Sequence, residues 1–394
     1  MKTVYLDNNA TTMVAPEVRD VMIPFFGDLY GNPSSMHAFG GEVAKYVTRS
    51  REEVARFLNC DPEEVYFTSC ATESDNTAVR GTADWYGKEL KVITSAVEHP
   101  AILQPCNRLK AAGHEIAQIG VDKKGNLDLA ALEHELSCAK GPKLVSIMWA
   151  NNETGVVFPV EKISGLCKRY GAVFHTDAVQ VAGKIQVDVK KVPVDMLSMS
   201  GHKFHAPKGV GIFYCRKGTK IKPFMLGGHQ ESGRRAGTEN VPYIIGLAKA
   251  CELARLGMAD EAAKLTYLRD KLEKGILASC PDVLVNGDPA NRLPNTLNVS
   301  FQYIEGEAIA YHLSDLGICI STGSACASGS LDPSHVIRAM GVPFTAVHGS
   351  VRFSLSRYTT EAEIDYVLEK LPPVIANLRE LSPFGPDTDV TTFK

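Results

Sequence analysis

The sequence predicts an α/β protein in which a mostly parallel, doubly wound sheet is followed by a smaller α+β domain. Between about residues 40 and 215, helical and strand-like segments alternate, as they do in repeated β-α-β units. After residue 240, long charged amphipathic segments replace this alternation, and short strands follow them. The 394 residues, 44% of them hydrophobic, are enough for a large core and two domains.

The elements of the first region can be assigned in order from their periodicity. Residues 41–58 and 74–87 have helical periodicity, and the strand-like segments "EVYFTS" and "KVITSAV" follow them in turn. The alternation continues through "KLVSIMWA", "ISGLCKRYG", "AVFHTD", "DMLSMS" and "GVGIFYC". In the second region, residues 244–257 and 260–279 predict long helices, and "TLNVSF" and "GSVRFSLS" predict short strands.

Composition narrows the classes of partner. A formal net charge of -3 gives no reason to expect a nucleic-acid or polybasic membrane surface. No apolar run approaches a membrane span, and the N-terminal residues lack the apolar core of a secretory signal. The ten cysteines include no C-x-x-C pair, which argues against a zinc ribbon. We therefore expect a cytoplasmic protein without a metal, whose partner is a small molecule or another protein.

Two strand ends carry residues that suit a bound cofactor, because ligands of open α/β sheets bind outside the carboxyl ends of the strands. Lys203 follows the strand "DMLSMS" beside His202, where burial or nearby cations can supply the neutral amine that a Schiff base needs. Lys208 lies in a Pro-Lys-Gly turn and is expected to be exposed. Asp177 ends the neighbouring strand "AVFHTD" and can pair with a protonated pyridine nitrogen or cap the next helix.

Two other segments can hold the rest of such a cofactor. Thr72 lies where a strand turns into a helix, and can bind a phosphate or form a capping pair with Asp75. His99 ends another strand and suits ring stacking and proton transfer, although a lone histidine is often structural. In "WANNETG", the amide of Asn152 can bond a cofactor hydroxyl or build a turn.

A thiol and a guanidinium complete the set of candidate residues. Cys326 lies among small residues in "STGSACASGS", so either a solvent-reachable thiol or an incidental loop cysteine is expected. Arg352 alternates with apolar neighbours on a strand, so its guanidinium can hold a carboxylate bidentately or form a structural ion pair.

These motifs together resemble the NifS/IscS-like cysteine desulfurases, a family of fold-type I pyridoxal-phosphate enzymes within the class V aminotransferases. The segments "TSCATESDN" and "GGHQESGRRAGTEN" are most similar in sequence to the nitrogen-fixation-type branch. Thr322 stands where a serine is usual, and Ser232 where an arginine is commoner. The matching stretches run almost from end to end: "YLDNNATT", "GNPSSMH", "TSCATESDN", "VEHPA", "MWANNETG", "FHTDAVQ", "SGHKFHAPKGVG", "RRAGTEN", "RLPNT", "STGSAC" and "VRFSLSRYTT".

The resemblance implies a domain organisation and a cofactor. Residues 15–258 form a large domain that binds pyridoxal 5'-phosphate on a mostly parallel seven-stranded sheet. Residues 1–14 and 259–394 form a small α+β domain, with a mobile catalytic-cysteine loop at 321–335. Phosphate binding by Thr238 from the neighbouring subunit implies a homodimer.

The resemblance also implies a role for each candidate residue. Lys203 forms the Schiff base with the cofactor, Asp177 pairs with the ring nitrogen, and Cys326 is the nucleophile. The other residues divide by the group that they contact: His99 stacks on the ring and assists proton transfer, Asn152 and Gln180 meet the ring hydroxyl, Thr72, Ser200 and His202 bind the phosphate, and Arg352 and Asn152 bind the substrate.

The implied activity is the conversion of L-cysteine to L-alanine with transfer of sulfur to an enzyme persulfide. The sulfur then passes to an iron–sulfur scaffold or another acceptor protein. Two alternatives stay open at this point. A different pyridoxal enzyme, such as an aminotransferase or a selenocysteine lyase, has no need of Cys326 in this form, and a non-catalytic sulfur-transfer scaffold tolerates the loss of both Lys203 and Asp177.

Overall fold

The computed structural model describes residues 3–322 and 333–385. The strands are β1 (Val4–Tyr5), β2 (Val65–Thr68), β3 (Lys91–Ser95), β4 (Ile116–Ile119), β5 (Lys143–Ser146), β6 (Val173–Asp177), β7 (Met196–Ser200), β8 (Gly211–Cys215), β9 (Val283–Asn286), β10 (Thr296–Phe301), β11 (Ile318–Cys319), β12 (Ser321–Thr322) and β13 (Ser350–Ser354). The α-helices are α1 (Pro16–Met22), α2 (Ala38–Leu58), α3 (Ala71–Tyr86), α4 (Pro100–Ala111), α5 (Leu129–Cys138), α6 (Val160–Tyr170), α7 (Val241–Ser279), α8 (Gly306–Asp315), α9 (His335–Ala339), α10 (Phe344–Val347) and α11 (Glu361–Leu381).

A seven-stranded sheet forms the centre of the larger core, in the order β2-β8-β7-β6-β5-β3-β4. Six of these strands are parallel, and β8 runs antiparallel to both of its neighbours. The predicted mostly parallel, seven-stranded sheet is therefore confirmed. It places the carboxyl ends of β3, β5, β6 and β7 at one edge, where ligands of such sheets bind.

Both faces of this sheet are buried, which explains why its strands are almost continuously apolar. Successive residues of a strand point to opposite faces, and Val92 packs in one apolar cluster while Ile93 packs in the other. Leu144 and Val145 divide in the same way. The first face is covered by α3 and α4, and the second by α1, α2, α6 and α7. The sheet is therefore doubly wound, as predicted.

Helix α7 joins two segments that the sequence suggested as separate helices. The first half contributes Ile244 and Leu247 to the large core, and the second half contributes Leu268 and Leu272 to a second apolar core. Gly257 lies between the halves, but a glycine inside a helix costs only about 1 kcal/mol. Packing at both ends outweighs that cost, so one 39-residue helix connects the cores.

The second core is built from residues that are distant in sequence. An antiparallel sheet has the order β12-β13-β10-β9, and β1 pairs in parallel with β11. Helices α8 and α11 pack with these strands in one apolar cluster. The N-terminal strand therefore joins residues from the far end of the chain, while the domain limits expected at 14/15 and 258/259 remain predictions.

Within residues 3–322 and 333–385, no helix is long and apolar enough to cross a membrane. In the same ranges, no group of three or more His, Cys, Asp or Glu side chains is arranged to hold a metal ion. Cys326 and the tail after residue 385 lie outside the described residues, so the predicted loop at 321–335 is described only at its two ends.

Candidate active site

A cavity of about 470 Å³ lies at the carboxyl edge of the large sheet. It contains nine of the eleven residues that the sequence indicated: Thr72, His99, Asn152, Asp177, Gln180, Ser200, His202, Lys203 and Arg352. A larger depression of about 750 Å³ lies elsewhere, around Arg51 and Glu231. These two charges pair at 2.7 Å, and the depression contains none of the predicted site residues.

Lys203 lies in a single 3₁₀ turn, Gly201–Lys203, directly after β7. Its Nζ donates hydrogen bonds to the carbonyls of Asn9 at 2.6 Å and Ala10 at 2.9 Å. Two carbonyl acceptors hold the amine at the cavity wall, and the side chain is half-buried. Lys208 is exposed, as its turn predicted, so only one of the two lysines faces the cavity.

Asp177 ends β6 with a buried carboxylate. Its Oδ1 accepts a hydrogen bond from the Val179 amide at 2.9 Å. Burial raises the pKa of Asp177 to about 6, although this hydrogen bond and the charge of Lys203 act in the opposite direction. The hydrogen bond and the charge of Lys203 do not offset the cost of burying the carboxylate, which is therefore suited to bind a cationic group of a ligand.

A buried polar cluster lies behind Asp177. Burial, followed by the charge of Asp177, raises the pKa of the buried Asp75. Burial lowers the pKa of His175 to about 3, and its ring is held between the hydroxyls of Ser146 and Ser198, both at 2.9 Å. Neither Asp75, which is an acid, nor His175 supplies a positive charge to Asp177. The Asp177 carboxylate can therefore pair with a cationic group that enters the cavity.

His99 caps the start of α4, and its Nδ1 accepts a hydrogen bond from the Ala101 amide at 3.1 Å. Burial lowers the pKa of His99 to about 4, and the charges of Lys203 and His335 add to this effect. The ring is therefore neutral at neutral pH, with its proton on Nε2. Both of the readings that the sequence left open apply here, because the histidine caps a helix and also lines the cavity.

The start of α3 faces the cavity through Cys70, Ala71 and Thr72. Cys70 is the N-cap residue and makes no side-chain capping bond, so a capping pair of Thr72 with Asp75 is wrong. Free amides at a helix start bind phosphate. Gly211 lets β8 approach this turn, because a Cβ there would lie 2.7 Å from the Thr68 hydroxyl.

Arg352 and Gln180, two of the buried side chains that line the cavity, each have a polar atom without a hydrogen-bond partner in the described chain. The Nε of Arg352 is one, although its other nitrogens donate to Asp7 at 2.7 Å and to the Asn152 carbonyl at 3.0 Å. The Oε1 of Gln180 is the other, while its Nε2 donates to the Asn9 carbonyl at 3.2 Å. Buried polar atoms are usually paired, so both atoms point to a ligand.

These features fit pyridoxal 5'-phosphate. The cavity volume is within the range of small-molecule sites. Asp177 suits a protonated ring nitrogen, the α3 amides with Thr72 suit a phosphate, and Lys203 supplies an amine for the aldehyde. The unpaired Gln180 oxygen can accept from the ring hydroxyl, and Arg352 retains a donor for a substrate carboxylate.

Residues 7–10 are the part of the site that the sequence reasoning did not assign. Asp7 pairs with Arg352, and the carbonyls of Asn9 and Ala10 hold Lys203. Asn9 is itself buried, and its Nδ2 donates to the Thr296 hydroxyl at 2.9 Å. The signal was present in the motif "YLDNNATT", but its function depends on contacts with residues nearly 200 positions or more away.

Two predicted residues do not lie in this cavity. Thr238 is exposed, and it lines a separate small cavity of about 130 Å³ together with Ser69 and Arg235. Cys326 lies outside the described residues. Their assigned roles therefore remain predictions.

Comparisons with known proteins give one family model and several similar proteins. The model of the Aminotransferase class-V family matches residues 4–367. "Cysteine desulfurase NifS" of Azotobacter vinelandii is 53% identical over 386 residues, 98% of this chain and 95% of that protein. A "Cysteine desulfurase" of Trichormus azollae is 54% identical over 387 residues, 98% of this chain and 96% of that protein. A solved NifS-like protein from Rickettsia africae has a TM-score of 0.87 at 32% identity, covering 95% of this chain and 100% of its own.

Proposed function

This chain belongs to the aminotransferase class-V family, and on that premise we propose that it acts as a cysteine desulfurase that uses pyridoxal 5'-phosphate to convert L-cysteine to L-alanine. One observation carries the proposal. Lys203, Asp177 and Arg352 converge on a single cavity from distant parts of the chain. They supply an amine, an acid for a ring nitrogen and a carboxylate-binding cation, which together suit an amino-acid substrate.

The residues around the cavity divide the work of holding the cofactor and the substrate. Asp177 holds the ring nitrogen, and the α3 start with Thr72, Ser200 and His202 holds the phosphate. Asn152 and Gln180 meet the ring hydroxyl. When bound, pyridoxal phosphate takes up the electrons that are released at the substrate α-carbon. Arg352 binds the substrate carboxylate.

Lys203 is the residue that we assign to remove the α-proton. His99 is the other candidate, but its Nδ1 is engaged by the Ala101 amide, and its pKa of about 4 makes it a weak base. An efficient base has a pKa near the working pH. His99 therefore serves as a neutral ring that packs on the cofactor and donates from Nε2.

The sulfur-transfer step uses the thiolate of Cys326. It attacks the substrate sulfur, so that an S–S bond forms while the Cβ–S bond breaks. The electron pair stays with the substrate carbon, which takes up a proton and leaves as alanine. L-cysteine and one enzyme thiol thus give L-alanine and one enzyme persulfide, and no external oxidant is needed.

Three finer statements belong to the same proposal. The persulfide supplies sulfur to an iron–sulfur scaffold or another acceptor protein. The enzyme is a homodimer in which the exposed Thr238 reaches the phosphate site of its partner. Its location remains a prediction, with the cytoplasm as the expected compartment.

The decisive experiment incubates the purified protein with L-cysteine and a thiol reductant, and measures alanine and sulfide beside Cys326→Ala. The proposal is supported if the wild type releases alanine and sulfide in equal amounts and the variant releases neither. A variant that matches the wild type contradicts the persulfide mechanism. Transamination of L-alanine with a 2-oxo acid supports an aminotransferase, and protein that stays colourless with added cofactor supports a scaffold.

A further inference from the structure

Asp7 and Arg352 form an ion pair at the wall of the cavity. The Arg352 Nη2 donates to the Asp7 Oδ1 at 2.7 Å, and both residues line the cavity. The Arg352 side chain is 7% exposed and the Asp7 side chain 21% exposed, so the pair is largely shielded from bulk water. Salt screens such partly buried charges only weakly. The charge of Asp7 therefore acts on any ligand that Arg352 binds.

Main-chain contacts with β13 fix the position of Asp7. The N-terminal segment runs beside the end of this strand, where Asp7 forms a parallel β-bridge with Ser354. The Ser354 amide donates to the Leu6 carbonyl at 2.7 Å, and the Asn8 amide donates to the Ser354 carbonyl at 3.2 Å. Arg352 precedes Ser354 by two residues on the same strand. Strand β13 therefore carries Arg352 and also holds the segment that supplies Asp7.

The Arg352 guanidinium can bind Asp7 and a substrate carboxylate at the same time. It donates to Asp7 and to the Asn152 carbonyl at 3.0 Å, which uses only part of its N–H groups. Its Nε has no hydrogen-bond partner in the described chain. A carboxylate can bind there without displacing Asp7, and two anions then share one cation.

The described residues that line the cavity offer no further cation to a second substrate anion. Burial lowers the pKa of His99 and of His202 to about 4, so both rings are neutral at neutral pH. Lys203 is assigned to the cofactor, and Arg352 to the substrate α-carboxylate. The basic side chains of the cavity are these four: His99, His202, Lys203 and Arg352.

Three other acids line the cavity, but they do not share the position of Asp7. Asp177 is assigned to the ring nitrogen of the cofactor. Burial raises the pKa of Asp75, and it raises the pKa of Glu153 to about 7. Among the described residues, Asp7 is the one acid in an ion pair with Arg352. Its charge is therefore the one that a ligand meets beside the carboxylate-binding group.

We propose that Asp7 is a specificity-determining residue that restricts the site to amino acids with a single carboxylate. The inference rests on the proposed function, because that function assigns the substrate α-carboxylate to Arg352. Asp7 lowers the positive potential that the guanidinium would otherwise offer to a second carboxylate, on the side chain of the substrate. Like charges brought together in this way select against a ligand. An uncharged side chain, such as that of L-cysteine with a protonated thiol, meets no such repulsion.

L-asparagine and L-aspartate test the inference, because they have nearly the same shape and differ by one charge. Their dissociation constants are measured with the holoprotein, by titration of the cofactor absorbance and by competition with L-cysteine. Asp7→Asn removes the charge and keeps an oxygen that can accept from Arg352, whereas Asp7→Ala removes both, and Asp7→Glu keeps the charge. Asp20→Asn is the matched control, because Asp20 is an exposed acid that pairs with Arg19 outside the cavity.

We expect the wild type to bind L-asparagine at least about 10-fold more tightly than L-aspartate, since like charges at short range repel strongly where water is excluded. Asp7→Asn should lower this preference by about 10-fold, chiefly through tighter binding of L-aspartate. Asp7→Ala should also lose the preference, and it should bind both ligands more weakly because Arg352 loses an acceptor that orients it. Asp7→Glu and Asp20→Asn should keep the preference of the wild type, and the dissociation constant of the cofactor should change little in all four variants.

Three results would overturn the inference while leaving the proposed function intact. The first is a wild type that forms alanine from L-cysteine but binds L-asparagine no more tightly than L-aspartate. The second is an Asp7→Asn variant that keeps the wild-type preference, which assigns Asp7 to the orientation of Arg352 alone. The third is a preference that changes only together with the dissociation constant of the cofactor. A wild type that binds neither amino acid and forms no alanine from L-cysteine instead contradicts the proposed function.

Discussion

Replacing Asp177 by asparagine should stabilise the apoprotein and weaken its hold on the cofactor. Burial raises the pKa of Asp177 from 3.8 to about 6, so the folded apoprotein favours the neutral acid. Asparagine cannot ionise, and its side-chain oxygen can still accept the bond from the Val179 amide. The variant therefore avoids the cost of a buried carboxylate that has no cationic ligand beside it.

The size of this effect depends on pH. Below about pH 3.8 Asp177 is protonated in both states, so it costs nothing. As the pH rises from 3.8 through the folded-state pKa of about 6, Asp177 releases its proton more readily in the unfolded chain than in the folded protein. The folded wild type therefore loses stability over this range. The cost is about 1.5 kcal/mol at pH 5 and about 3 kcal/mol at pH 8. Asp177→Asn should gain these amounts in the apoprotein.

Urea unfolding of the apoproteins at pH 5 and pH 8, at one protein concentration, measures the difference. The holoprotein should show the opposite order, because a protonated ring nitrogen compensates the wild-type carboxylate and leaves the asparagine without its charge. A gain that is absent, or that is the same at both pH values, would refute the reasoning. So would a variant that binds pyridoxal phosphate as tightly as the wild type.

Two further predictions concern the cavity. Lys203→Ala should lack the long-wavelength absorbance of a lysine-bound cofactor when pyridoxal phosphate is added, and the exposed Lys208→Ala should keep it; the reverse pattern would refute the assignment. Arg352→Gln should lower kcat/KM for L-cysteine by roughly 100-fold or more, since it removes charge-assisted bonds to the substrate carboxylate, while Arg352→Lys should fall between this variant and the wild type. Equal kinetics for all three proteins would place the carboxylate elsewhere.

Local sequence patterns were sufficient to predict the elements whose burial follows from their own hydrophobic pattern. Strands flanking the helices at residues 41–58 and 74–87 have the apolar character of a sheet that is covered on both faces, and the structure has that sheet. Residues at strand ends, such as Asp177 and Lys203, were expected to meet because parallel strands bring their carboxyl ends to one edge. The cavity contains both.

Contacts between distant segments could not be predicted in the same way. The carbonyl of Asn9 holds the Lys203 amine, and Asp7 holds Arg352, but neither pair has a periodicity that joins its members. The segments at 244–257 and 260–279 were expected to be two helices. They form one helix because its two halves pack into different cores. The helix propensities of the residues do not contain this information.

The sequence by itself determined the fold class, because periodicity reports burial. Its motifs and their family resemblance indicated the cofactor and nine residues that the structure brings to one cavity. Only the tertiary structure decided the electrostatic state of those side chains. His99 is neutral because α4 uses its Nδ1 and burial disfavours its cation. Burial raises the pKa of Asp177, so its carboxyl group holds its proton more tightly. Such states depend on through-space distances and desolvation, which exist only after the chain has folded.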